Sequence, residues 1–305
     1  MNPSAVDVAD EPGQLPGAAA RSAQWLGGKT RSFAGDRSLI IAATAFALVF
    51  VSAAYGRLVW PLDPLTINIA ESLLSPSTAH PMGTDQLGRD VFARWSEGAQ
   101  ISIVVGLIVL VVGAIVGATI GLIAGTSRSS IDNVLMRVMD AILAFPPLLL
   151  AMAVTLGLGA GLRSAVIGIV IPTIPWYARL VRSDVLRIRS MPFVEATVTL
   201  GASRRRTIVH HVLPHTLPTL AIQAGAVFSY AILTLAALGF VGLGVQIPTP
   251  EWGTMITEGL GSALTGQWWI TFFPGLGLLI TATAANLLAD RARDLLDPKS
   301  RPGGR

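Results

Sequence analysis

The chain has 305 residues, 52% of them hydrophobic and 13% charged, with no cysteine. A typical soluble domain carries roughly 25% charged residues, so this composition argues against a soluble globular protein. The absence of cysteine excludes a disulfide scaffold, thiolate metal sites and cysteine nucleophiles, and the net charge of +4 takes its meaning from where the charges sit.

Residues 1–37 are rich in Ala, Gly, Ser and Pro. They lack the ordered charged, apolar and cleavage regions of a signal peptide. They read as a cytoplasmic tail, either disordered or holding a short interfacial helix with Trp25, Leu26 and Phe33 dipping into the membrane and Lys29 and Arg31 on headgroups. The run Leu26-Gly27-Gly28-Lys29-Thr30 looks like the end of a phosphate-binding loop. Ala23 stands where the first glycine is needed and no strand precedes it, so nucleotide binding is not expected.

Long uncharged runs set the class. Residues 38–56, 98–127, 141–162, 216–250 and 259–289 contain no Asp, Glu, Lys or Arg, and a shorter run covers 164–178. Spans of about 18 or more largely apolar residues read as transmembrane helices. The pattern predicts helices near 38–59, 99–125, 134–157, 163–183, 216–240 and 268–290, the fourth carrying Pro172 and Pro175. With both termini cytoplasmic, six crossings place 18 of the 22 Lys and Arg on that side and 4 outside, a positive-inside pattern. The expected fold is an all-α integral membrane bundle of six helices over 38–292, flanked by tails at 1–37 and 293–305.

Between the first two helices, residues 76–97 read as an amphipathic helix on the outer interface. Thr84 and Asp85 suit a helix start, Asp85 and Arg89 are spaced for an i,i+4 ion pair, and Leu87, Val91, Phe92 and Trp95 share a face. A metal site on His80, Asp85 and Asp90 is not expected. Gly113, Gly117, Gly121 and Gly125 recur every four residues in the second helix, a ridge along which another helix can approach closely.

The segment 184–215 is a long polar stretch on the cytoplasmic side. Pro192 suits a first helical turn and Gly201 a helix end, which predicts a short helix over 192–200 with Phe193, Ala196, Thr197 and Leu200 on one side. Held off the bilayer, it is a natural contact for a soluble partner. Arg204, Arg205 and Arg206 beyond it read as a topology anchor or lipid contact rather than a nucleic-acid site. Gln223, Tyr230 and Thr234 recur on one face of the fifth helix; they either line a water-accessible path or make interhelical hydrogen bonds. No ionisable group falls near the centre of a predicted helix, which weighs against an ion-coupled carrier. No G-x-S-x-G or H-E-x-x-H motif supports a membrane-embedded enzyme.

Four segments carry a family resemblance. Glu195-Ala196-Thr197, then Gly201, then His211-Val212-Leu213-Pro214 resembles the cytoplasmic signature of the integral membrane permeases of binding-protein-dependent ABC importers, with Thr197 and His211 replacing two of its usual residues. The runs 80–90 (HPMGTDQLGRD), 240–253 (FVGLGVQIPTPEWG) and 286–298 (NLLADRARDLLDP) are similar to the C-type subunit of dipeptide, oligopeptide and nickel systems, with Ala289 where a Gly is usual. The match covers roughly 38–298.

The resemblance implies a type I importer permease in the bacterial cell (inner) membrane. Such a chain pairs with a second permease subunit, rests on two ATPase subunits and receives cargo from an extracytoplasmic solute-binding protein. The helix at 192–201 becomes a coupling helix between helices 4 and 5, with Glu195, Ala196, Gly201 and Ser203 shaping the ATPase interface. This chain is then no enzyme and binds no cofactor, ATP and Mg being used by the ATPase subunits. Gln223, Tyr230 and Thr234 become candidates for the translocation path. Glu251 and Trp252, in the outer loop 244–267, become candidates for docking the binding protein. Di- and oligopeptides are the favoured cargo, with glutathione or a nickel complex as alternatives and ion-coupled secondary transport as the rival mechanism.

Overall fold

The computed structural model describes residues 40–56 and 58–296. The readings placed on 1–37, the interfacial helix and the Leu26–Thr30 run, lie outside the described residues, as does the C-terminal stretch from 297. In chain order the helices are α1 Ile40–Gly56, α2 Val91–Thr126, α3 Ser129–Leu143, α4 Pro147–Leu158, α5 Leu162–Arg189, α6 Pro192–Thr199, α7 Arg204–Thr207, α8 Leu213–Phe240, α9 Trp252–Ala263 and α10 Trp269–Leu296. No strand occurs among the described residues; Thr84 and Asp90 form an isolated bridge.

Four helical stretches are long and apolar enough to cross a membrane: α2, α5, Ile208–Phe240 and the first 22 residues of α10. The helix expected over 134–157 is instead two helices, α3 and α4, bent by 89° at their junction. Pro146 and Pro147 explain the break: the ring removes the N–H donor and disfavours helical geometry in the residue before it. Pro147 then serves as the first residue of α4, where a missing N–H costs nothing. The six expected crossings are thus met by four full spans, and by a fifth if the broken pair is one span; α1 is a shorter apolar helix that falls below the length of a span.

The predicted amphipathic helix over 76–97 is also corrected. Residues 80–90 form a folded loop, and α2 starts at Val91 with Asp90 as its cap, its carboxylate accepting Ala93 N–H at 2.7 Å. Val91, Phe92 and Trp95 face the core rather than an interface. Continuous with that start, α2 runs 36 residues, about 54 Å at 1.5 Å per residue, so it projects well beyond the hydrocarbon layer.

The glycine ridge packs on α5. A Cβ at Gly113 would stand 2.5 Å from Thr173 Oγ1, at Gly117 2.5 Å from Tyr177 Cβ, at Gly121 2.5 Å from Ala178 O and at Gly125 2.7 Å from Val185 Cγ1. Only side-chain-free positions allow the two backbones this close. The core falls into three clusters. One joins Val91, Trp95, Phe228, Ile232, Trp252 and Trp269. A second, against another face of α8, joins Val109, Ile169, Tyr177, Val227 and Leu235. The third, at the far end of α5, joins Val181, Val185, Ile188, Val194 and Val212. The opposite face of α2 leaves Val104, Ile108, Val111 and Ile115 exposed, as a surface meeting lipid or another membrane subunit should.

Pro172 and Pro175 sit inside α5 without ending it. Ahead of α8 the chain makes one π-turn, Ile208–Val212, with Leu213 N–H bonded to Ile208 O. Pro214 follows, a residue unable to donate to its i−4 carbonyl, and a widened turn is a common local answer to that missing bond.

Candidate coupling helix and translocation cleft

α6 continues almost directly from α5. Pro192 opens it, and Val194, 3% exposed, packs against Val185 and Ile188 at the end of α5 and against Val212. Phe193 packs on His215 with ring centres 5.3 Å apart. The helix stops by a left-handed residue: Gly201 has φ +84°, while Leu200 N–H reaches Ala196 O and Ala202 N–H reaches Thr197 O at 3.1 Å. That conformation favours glycine, and no atom lies within 4 Å of the position a Cβ would take. The Ser203 hydroxyl accepts Arg206 N–H at 3.4 Å, starting the next helical turn. Ala196, Leu200, Gly201 and Ser203 are exposed. Glu195 sits in the first turn of α6; its side chain lies outside the described set. The result is a stub fastened on one face and bare on the other.

Two of the three expected path residues share one cleft. Gln223 and Tyr230 of α8 line an open cleft of about 830 Å³ with Trp176, Arg179 and Leu180 of α5 and Leu143 of α3. Trp176 and Tyr230 meet edge to face at 4.9 Å. Thr234 is buried, 5% exposed, one turn further along α8, and does not line the cleft. α5 runs to Arg189, past the 163–183 expected for the fourth helix, and two of its arginines pair with α3: Arg179 with Asp140, and Arg182 with both oxygens of Asp132 at 2.5 and 2.6 Å.

A buried ionic network lies at the other end of the bundle. Arg94 Nη2 donates to Glu258 Oε2 at 2.5 Å and Arg89 Nη2 to Glu258 Oε1 at 3.3 Å. Arg89 Nε donates to Asp85 Oδ2 at 2.6 Å. The Asp85–Arg89 pair expected from their spacing is therefore present, within a loop rather than a helix. Gln86 Nε2 donates to Glu258 O at 2.6 Å, and Trp269 Nε1–H to Thr84 O at 3.1 Å, which fastens the 80–90 loop to α9 and α10. A His80 ring nitrogen lies 2.8 Å from Asp90 Oδ2. Among the described residues no group of three His, Asp or Glu side chains could hold a metal ion. The network could have been suspected from Glu258, the lone charge in 252–289, facing a short outer loop dense in Asp and Arg.

Glu251 and Trp252 are both fully buried. Glu251 caps α9: its carboxylate accepts Thr254 N–H at 3.1 Å and the Ser102 hydroxyl at 3.3 Å. Burial raises the pKa of this carboxyl above the usual carboxylate range, with the Gly253 and Thr254 N–H groups and Ser102 pulling it back. Trp252 Nε1–H donates to Trp95 O at 3.1 Å. In this arrangement the pair knits α2 to α9 and presents no side chain to a docking partner, because capping and core filling use both residues inward.

An all-helical bundle with at least four helices long and apolar enough to cross a membrane defines a class of integral membrane proteins. The family described as "Binding-protein-dependent transport system inner membrane component" matches residues 117–302, and the chain belongs to it. It is similar to the probable D,D-dipeptide transport system permease protein of Escherichia coli, 40% identical over 266 residues, 87% of this chain and 89% of that one. It is also similar to a probable peptide ABC transporter permease protein of Sinorhizobium fredii, 46% identical over 239 residues, 78% and 81% of the two chains. The di/tripeptide transport system permease protein of Pseudomonas aeruginosa is 40% identical over 276 residues, 88% and 90%. A chain of the MetNI methionine ABC transporter, solved in inward facing conformations, has the same fold, with TM-score 0.52 and 19% identity over 68% of this chain and 96% of that chain.

Proposed function

We propose that this chain is the permease subunit of an ATP-driven importer for short peptides, forming the translocation path together with a second permease. Its termini are cytoplasmic, separate ATPase subunits hydrolyse ATP with Mg and seat α6, and an extracytoplasmic binding protein delivers the cargo. The chain itself carries out no chemical reaction and holds no cofactor. The names of the peptide-permease relatives support the cargo. The mechanism rests on one observation: α5 joins α6 directly to the wall of the cleft.

α5 is a single helix of 28 residues, about 42 Å long. Val194 ties α6 to its inner end, and Trp176 and Arg179 in its middle line the cleft. A displacement of α6 therefore tilts the cleft wall. Closure of the ATPase subunits on ATP biases the bundle between two packings through this contact, one open to the binding protein and one to the cytoplasm. Since Glu251 and Trp252 are buried, the docking role falls to exposed parts of the same loop such as Gln246 and Ile247, the latter 68% exposed.

Glu195→Arg and Gly201→Trp in the complete importer test the reading. Both variants are expected to insert into the membrane, yet to lose peptide uptake and its stimulation of ATP hydrolysis. Wild-type uptake in both variants would remove α6 from the coupling role. Ion-gradient-driven uptake by this chain alone would replace the importer with a secondary carrier.

A further inference from the structure

Arg179, on the cleft wall, belongs to a charged pair that the fold does not need as a fastener. α3 is already held to α5 by Arg182, whose guanidinium grips both oxygens of Asp132 and whose side chain is 32% exposed against 15% for the aspartate. Arg179 and Asp140, by contrast, meet through one contact and are 53% and 54% exposed. Arg179 lies ten residues from the inner end of α5 and Gln223 ten from the start of α8, so each is about 15 Å in from that end. A half-exposed guanidinium is costly against hydrocarbon; it belongs on a water-accessible face. One turn further along stands the Trp176–Tyr230 aromatic pair.

Resting on the peptide-permease reading, we propose that Arg179 and Asp140 read the two charged ends of a short peptide as it passes through the cleft. The guanidinium takes the terminal carboxylate, for which its planar fork is suited. Asp140 takes the terminal ammonium, and the aromatic pair shelters an apolar side chain. The exchange is balanced. A zwitterion that separates the pair gives both Arg179 and Asp140 a new charged partner, whereas a peptide blocked at one end offers a charged partner to only one of them. Arg179 and Asp140 are thus specificity-determining residues of the path, acting after the binding protein has made its own selection.

The test uses the complete importer in proteoliposomes, supplied through one binding protein with a dipeptide bearing free ends or with its C-amidated form. The double variant Arg179→Gln with Asp140→Asn removes both charges together and strands neither. It is expected to transport, but with its preference for the free-ended peptide reduced about tenfold relative to wild type, the factor a lost charged hydrogen bond is worth. The binding protein's own discrimination cancels in that ratio. An unchanged preference with uptake intact overturns the proposal and leaves the permease reading standing; no ATP-driven uptake of any peptide by the wild type overturns both. If the double variant fails to assemble, the wild type decides the question by photo-cross-linking with a dipeptide carrying a benzoylphenylalanine. Adducts at 176–180 or 223–230 that excess free dipeptide displaces and amidated dipeptide does not are the expected result. Equal displacement by both, or adducts only elsewhere, sinks it.

Discussion

Arg94 Nη2 and Glu258 Oε2 lie 2.5 Å apart, joining the first turn of α2 to the middle of α9 across 164 residues of sequence. The Arg94 side chain is 2% exposed and that of Glu258 17%. Glu258 also serves Arg89, and Asp85 completes the set, so two cations share two carboxylates. Charge balance is what allows such a group to be buried.

Glu258→Ala should therefore be strongly destabilising, by about 3–5 kcal/mol, because it leaves two buried guanidinium groups on one carboxylate. Glu258→Gln keeps part of the hydrogen bonding and should fall between. Thermal unfolding of the purified protein in detergent gives the order. A midpoint unchanged in Glu258→Ala would mean that the network contributes nothing.

The α2–α5 contact makes a sharper steric forecast. Gly117→Ala places a methyl 2.5 Å from Tyr177 Cβ and 2.6 Å from Ile174 O, and overpacking of this kind costs about 1–3 kcal/mol. Gly157→Ala, where nothing lies within 4 Å, should be neutral. Equal midpoints for the two variants would contradict the close approach of the helices.

Glu251 lies between α8 and α9, outside the spanning helices, and its raised pKa has a definite consequence for stability. A carboxyl held higher in the folded than in the unfolded chain folds more favourably while protonated. That contribution is complete below the unfolded value of about 4.3 and is lost as pH rises through the folded value. Glu251→Gln cannot ionise and escapes the loss. The variant's unfolding midpoint, compared with wild type, should improve steadily as pH rises from the acid side. Parallel midpoint profiles would show that burial does not perturb this carboxyl.

Much of the bundle was readable because hydrocarbon imposes a simple rule. Backbone polar groups must be bonded within the segment and side chains must be apolar, so uncharged runs such as 98–127 and 216–250 mark α2 and α8 closely. The short helix from Pro192 was readable from its start residue and from Gly201, whose left-handed φ is a local property of the chain. The break before α4 was equally local, written in Pro146-Pro147, but a hydropathy window averages over two prolines and merges the helices. The loop at 80–90 was misread because its apolar residues at helical spacing serve a buried surface that exists only once α9 and α10 have arrived.

What the amino-acid order determines alone is where the chain can enter a membrane, which ends carry positive charge and where the short helix between two spans begins and stops, since each follows from solvation or from backbone torsion within a few residues. Only the tertiary structure decides that Gly117 lies on Tyr177, that Glu258 answers Arg94, that Glu251 and Trp252 turn inward, and that Arg179 opens onto the same cleft as Tyr230. Those pairings join residues far apart along the chain. Burial and charge compensation select them, and both depend on which helices meet.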